Sequence, residues 1–161
     1  HCFHEVIRTM TLDALDDVSL EDQLVNPIDF VKDAKSFNDE LISARLKHFE
    51  NGKNVNKEHV FYDRGLPDVI AYMNYFGQTT EPRYADLCLK NRYDEVLILP
   101  PWKEIYVQDN ERMENFEQAC GIHEQLENTY IELGYNPIEV PFGTIENRLQ
   151  FVIDHINGAS E

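Results

Sequence analysis

The stretch Asp63-Arg64-Gly65-Leu66-Pro67-Asp68 places two carboxylates and a guanidinium in direct succession to the short apolar run His59-Val60-Phe61-Tyr62. A carboxylate at the end of a strand can orient metal-bound water or take a proton from a hydroxyl, and a planar guanidinium can clamp a phosphate. Each residue also has a structural role open to it. Asp63 can cap a turn or helix, and Arg64 can pair with Glu5 or Asp68. Glu5 and Arg8, just past the first short apolar segment, can equally form an internal ion pair. Arg112 stands at the start of a helical pattern, where its charge can serve a transition state or simply be solvated, and Asp109 reads as a helix cap. Trp102 can cover a base or ring, or anchor a core contact beside Pro100-Pro101. His1, Cys2, His4 and Glu5 carry metal-ligand atoms, but an extended segment points alternate residues to opposite faces. GxSxG, HExxH and EF-hand patterns are absent from the sequence, which leaves the main hydrolase and calcium chemistries without support.

The elements that must position these residues follow from periodicity. Phe30, Ala34, Phe37, Leu41, Ala44 and His48 or Phe49 recur at helical spacing after Pro27, and Gly52 reads as a left-handed stop. His59 to Tyr62 reads as a strand emptying into the Asp63 loop. A helix beginning at Pro67-Asp68 closes at Gly77, and another fits Tyr84 to Leu89. Val96 to Leu99, ended by Pro100-Pro101, and Ile138 to Pro141 are further strands. A core helix runs from Met113 to Leu133 before Gly134, and Ile145, Leu149, Val152, Ile153 and Ile156 line a last helix. Strands alternating with helices predict an α/β protein with a mainly parallel sheet and helices on both faces, with ligands at the carboxyl ends of the strands. No linker or repeat divides residues 1–161, which predicts a single domain.

The formal charge of -16 argues against a nucleic-acid surface, although a few converging cations and backbone amides still suffice for one small anion. Cys2, Cys88 and Cys120 are odd in number and widely separated, which suggests neither disulfides nor zinc and fits a reducing cytoplasm. No apolar run reaches the roughly 18 to 20 residues of a membrane span, and no signal peptide is recognisable, so no membrane partner is expected.

Taken in order, His4-Glu5-Val6-Ile7-Arg8, the "DRGLPD" stretch Asp63 to Asp68, Leu99-Pro100-Pro101-Trp102 with Tyr106 to Arg112, and Val140-Pro141-Phe142-Gly143 with Arg148 form a coherent set. They resemble the motifs of a predicted ATPase and kinase-like family of P-loop NTPases, AAA-type domains related to nicotinamide riboside kinases. The resemblance implies a three-layer P-loop NTPase fold with ATP and Mg2+ as cofactors and residues 103–115 as a lid. It implies Asp63, Arg64 and Arg112 as catalytic, with Asp63 also at the metal. Glu5, Arg8 and Asp68 would bind substrate, and Pro141 and Gly143 would contact the nucleotide. The implied activity is phosphoryl transfer to a small hydroxylated, nucleoside-like metabolite, or else ATP hydrolysis or a nucleotide-controlled interaction switch. The family begins with a strand, a GxxxxGK[ST] loop and a helix, none of which lies in these residues, so a preceding segment of roughly 25 to 35 residues is expected.

Overall fold

A computed structural model describes residues 1–6, 34–107 and 114–158. They fall into two compact units, His1–Asn91 and Arg92–Glu161. The first holds β1 (Cys2–Phe3), α1 (Ala34–Gly52), β2 (Phe61–Tyr62), α2 (Pro67–Tyr75) and α3 (Pro82–Lys90). The second holds β3 (Leu97–Ile98), a short 3-10 turn at Lys103–Ile105, α4 (Phe116–Glu132), β4 (Ile138–Glu139) and α5 (Ile145–Gly158). No described helix is long and apolar enough to cross a membrane.

Strands pair in parallel, β1 with β2 and β3 with β4. The expected parallel character is therefore present, while the described residues do not join the two pairs into one sheet. Among the described residues there are two separate two-stranded pairs, because no described strand is bonded to both. Each predicted strand is also longer than the observed one. An apolar run such as Val96 to Leu99 reports burial, whereas a strand requires a bonded neighbour along its length.

Helix boundaries follow local chemistry more closely. Pro67 opens α2, where its missing N–H has no helical partner to lose. Gly77 and Gly134, at φ of 64° and 78°, adopt the left-handed conformation that closes α2 and α4. In both caps the following residue reaches back across the turn, Gln78 N–H to the Met73 carbonyl and Tyr135 N–H to the Tyr130 carbonyl. At the other end of α4, Asn115 and Gln118 exchange side-chain and backbone hydrogen bonds of 2.9 Å each, a capping box that starts the helix at Phe116. Met113, where the pattern begins, lies outside the described residues.

Gly52 departs from its expected role. It is the last residue of α1, its φ is not positive, and its backbone carbonyl accepts a hydrogen bond from the Val55 N–H. Its missing side chain serves packing instead: a Cβ there would lie 1.7 Å from the Tyr62 hydroxyl. Tyr62 cannot easily yield, since its ring stacks on Phe3 at 5.4 Å, the cross-strand neighbour of the β1–β2 register, and lies 6.0 Å from Phe49.

The first unit's core is Leu41 and Ile42 of α1, Leu66, Val69, Ile70, Ala71 and Met73 around α2, and Tyr84 and Cys88 of α3. Val96, Ile122, Tyr130 and Val140 form the smaller core of the second. Tyr84 and Cys88, one helical turn apart, are each 1% exposed. Burial, followed by the hydrogen bond to Asp39, pushes the Tyr84 phenol up to about 12. Burial, followed by the charge of Asp68, does the same to the Cys88 thiol, also to about 12.

Three predictions follow from this packing. Gly52→Ala gains roughly 1 kcal/mol of helix propensity but forces the Tyr62 ring out of its stack, which costs about 1 to 3 kcal/mol. The net effect is destabilising, and Tyr62→Phe in the same chain recovers part of the loss, both read from urea midpoints. In addition, the folded pKa values of Tyr84 and Cys88 lie above their ordinary 10.0 and 9.0, so the folded state holds these protons more tightly. That stability is complete below about pH 9 and declines as pH rises toward 12. Urea unfolding from pH 8 to 11 should show the decline, with a shallower slope in Tyr84→Phe. At pH 8 a thiol reagent should label Cys2 and Cys120, which are exposed, and reach Cys88 only on unfolding.

Candidate functional site

Parallel pairing of β1 and β2 sends both chains out of the ladder on the same side. Phe3 lies opposite Tyr62, and the Asp63 N–H donates to the Phe3 carbonyl at 2.8 Å. The next residues are Glu5 on one strand and Arg64 on the other, and they meet. Glu5 is held by two guanidinium groups at once: Arg45 Nη2 lies 3.2 and 3.4 Å from its two oxygens, and Arg64 Nε lies 3.3 Å from Oε2. Arg45 Nη1 also donates to the Gly65 carbonyl at 3.1 Å. Asp68 accepts from the Gly65 N–H at 3.0 Å and from Arg64 Nη1 at 3.4 Å. Two carboxylates and two guanidiniums thus lock the Arg64–Gly65 turn from both sides.

The turn needs that support. Arg64 has φ of 78°, a left-handed conformation that costs a non-glycine residue about 1 to 2 kcal/mol. Its ion pairs and Asp68's cap over the Gly65 amide offset the strain. Burial is graded through the cluster: the side chains of Arg45, Asp68 and Glu5 are 4%, 6% and 15% exposed, while Arg64 is 38% exposed. The ion pairs engage Nε and Nη1 of Arg64, leaving Nη2 outside both.

Asp63 differs from its neighbours. It is exposed, and among the described residues its carboxylate enters no ion pair or hydrogen bond. Only its backbone is fixed, so a rigid strand end presents an uncommitted carboxylate. An open groove of about 540 Å³ is bordered by Phe3, whose carbonyl takes the Asp63 N–H, and by His4, Glu5, Ala44 and His48; Asp63 itself does not line it.

Among the sequence-derived candidates, the structure brings Glu5, Asp63, Arg64 and Asp68 into one cluster. Asp68 is buried and committed to the turn. Pro141 and Gly143 lie in the second unit, between β4 and the first turn of α5, where the Thr144 hydroxyl accepts from the Asn147 N–H at 3.3 Å. Arg8 and Arg112 lie outside the described residues, as does Asp109. Of the expected lid, the described parts are the 3-10 turn with Tyr106 and Val107 following it, and Glu114 and Asn115. The Tyr106 hydroxyl donates to the Glu114 carbonyl.

Arg45 is the central residue that sequence reasoning missed. Its signal was present, because it falls four residues after Leu41 on the stripe Asn38, Leu41, Ile42, Arg45 that α1 buries. A charge on an apolar stripe calls for a buried partner, and Glu5 is that partner. Among the described residues, no three or more His, Cys, Asp or Glu side chains converge to hold a metal unaided. An exposed carboxylate such as Asp63 could supply one oxygen to a divalent cation whose remaining ligands come from elsewhere.

No curated protein and no solved structure matches the chain. A family of AAA domains matches it over residues 1–148. That span takes in both strand pairs and the whole Glu5 to Asp68 cluster, and the chain belongs to the AAA domain family.

Proposed function

We propose that this chain belongs to an ATP- and magnesium-dependent phosphotransferase whose acceptor is a small hydroxylated, nucleoside-like metabolite. AAA domain membership supports the coarser part, nucleotide binding and hydrolysis by a P-loop α/β fold. The observation that carries the finer part is the exposed Asp63 carboxylate on a strand end whose backbone is fixed to Phe3, in the unit where Phe3 and Glu5 border an open groove.

Asp63 orients the metal's water or accepts the proton of the acceptor hydroxyl, a role open to an exposed carboxylate at the carboxyl end of a strand. Arg64, held by Glu5 and Asp68, retains Nη2 for a phosphate oxygen. Glu5 serves twice, fixing Arg64 and lining the groove where an acceptor would lie. Asp68 supports Arg64 from beneath. Magnesium ATP would supply the phosphoryl group. Roles for Arg8 and Arg112, and for Pro141 and Gly143 at the nucleotide, rest on the motif resemblance.

The test is ADP formation by the full-length protein against a panel of nucleosides and small polyols. One acceptor should accelerate turnover, and Asp63→Ala should reduce that accelerated rate by about 100-fold or more. Because the Asp63 carboxylate has no ion pair or hydrogen bond among the described residues, the same variant should unfold within about 0.5 kcal/mol of the parent. If no compound accelerates turnover and Asp63→Ala leaves basal hydrolysis intact, the phosphotransferase reading fails, and an ATPase or nucleotide-controlled interaction module replaces it. Arg45→Met should behave in the opposite way, losing about 3 kcal/mol because it removes the guanidinium that reaches both oxygens of the half-buried Glu5.

A further inference from the structure

We propose that Trp102 and Phe142 form a stacking platform for the base of the nucleotide, an inference that rests on the nucleotide-binding reading above. β3 and β4 are parallel and in register, Ile98 opposite Glu139, so both chains leave the ladder at the same edge. Trp102 follows β3 after the stiff Pro100-Pro101 pair, and Phe142 follows β4 after Pro141. Their ring centroids lie 5.0 Å apart with planes inclined by 24°, an offset stack.

The pair is not the unit's core. Val96, Ile122, Tyr130 and Val140 fill that role, while Phe142 remains 54% exposed. A partly buried Trp102 stacked under an exposed Phe142 near the carboxyl ends of parallel strands suits a planar heteroaromatic ligand, since each nucleobase offers a π-face to such a surface. A hydrogen-bonding edge lies close by. Asn147, in the first turn of α5, packs its side chain against Gly143, the residue after Phe142. Its amide has no hydrogen-bond partner among the described residues. A carboxamide supplies both a donor and an acceptor, the pair that an adenine edge accepts.

Trp102 is the single tryptophan of the sequence, so its fluorescence reports on the platform directly. The full-length protein is titrated with ATP and, separately, with inorganic tripolyphosphate, with binding followed in parallel by calorimetry. ATP should quench the emission and tripolyphosphate should not. Trp102→Phe should remove the quench and weaken ATP less than Phe142→Ala does, which assigns the signal to this residue in the complete chain. Phe142→Ala should weaken ATP about tenfold and leave tripolyphosphate unchanged. If calorimetry records ATP binding while fluorescence and the Phe142→Ala affinity stay constant, the platform is overturned and the nucleotide reading stands. If a nucleoside acceptor alone causes the quench, the platform holds the acceptor's ring instead, and the proposal is overturned as stated. If calorimetry records no ATP binding at all, both readings fall.

Discussion

One carboxylate shared by two guanidiniums underlies the first unit. Glu5 lies just past β1, Arg45 comes from α1 and Arg64 from the loop after β2, so the ion pairs join three segments far apart in sequence. Taking Arg45 out of water costs several kcal/mol, and isolated attraction to one carboxylate does not reliably recover it. The recovery here comes from number and geometry: Arg45 reaches both Glu5 oxygens and the Gly65 carbonyl. Removing Glu5 would leave the Arg45 guanidinium, 4% exposed, without the carboxylate it pairs with. The cluster is thus better understood as fixing one arrangement of the chain than as a large net source of stability.

What it fixes is a turn. Arg64 occupies a backbone conformation that L-residues avoid, and such strain persists only where surrounding contacts determine it. Asp68, capping the Gly65 amide from the first turn of α2, and Glu5, pulling Arg64 toward β1, supply those contacts. Asp63 immediately precedes the strained residue and follows the strand. Its backbone is held by the ladder, and its side chain is left to solvent. Rigidity around an uncommitted group is the arrangement that positioning for chemistry requires.

The sequence disclosed these features unevenly. Helix ends were readable wherever one residue type has one physical reason to be there: Pro67 at the start of α2, and Gly77 and Gly134 at left-handed caps. Gly52 was misread because a glycine at a helix end looks the same whether it supplies a positive φ or makes room for a neighbour, and Tyr62 stands ten residues away. Strand lengths were overestimated since hydrophobic runs record burial, while the ladder also depends on which chain lies alongside. Asp63, Arg64 and Glu5 were legible as chemistry-bearing residues. Arg45 was not, because helical periodicity treats a charge as the edge of an apolar stripe, and only the fold reveals Glu5 facing it.

The most direct test of this account is a double-mutant cycle on Glu5→Gln and Arg45→Met, read by urea unfolding of the single and double variants. If the shared carboxylate organises the unit, the two losses are strongly non-additive, with a coupling energy of about 1 to 3 kcal/mol. Losses that add to within about 0.3 kcal/mol would mean that the two side chains act independently, and would contradict the central role given to their interaction.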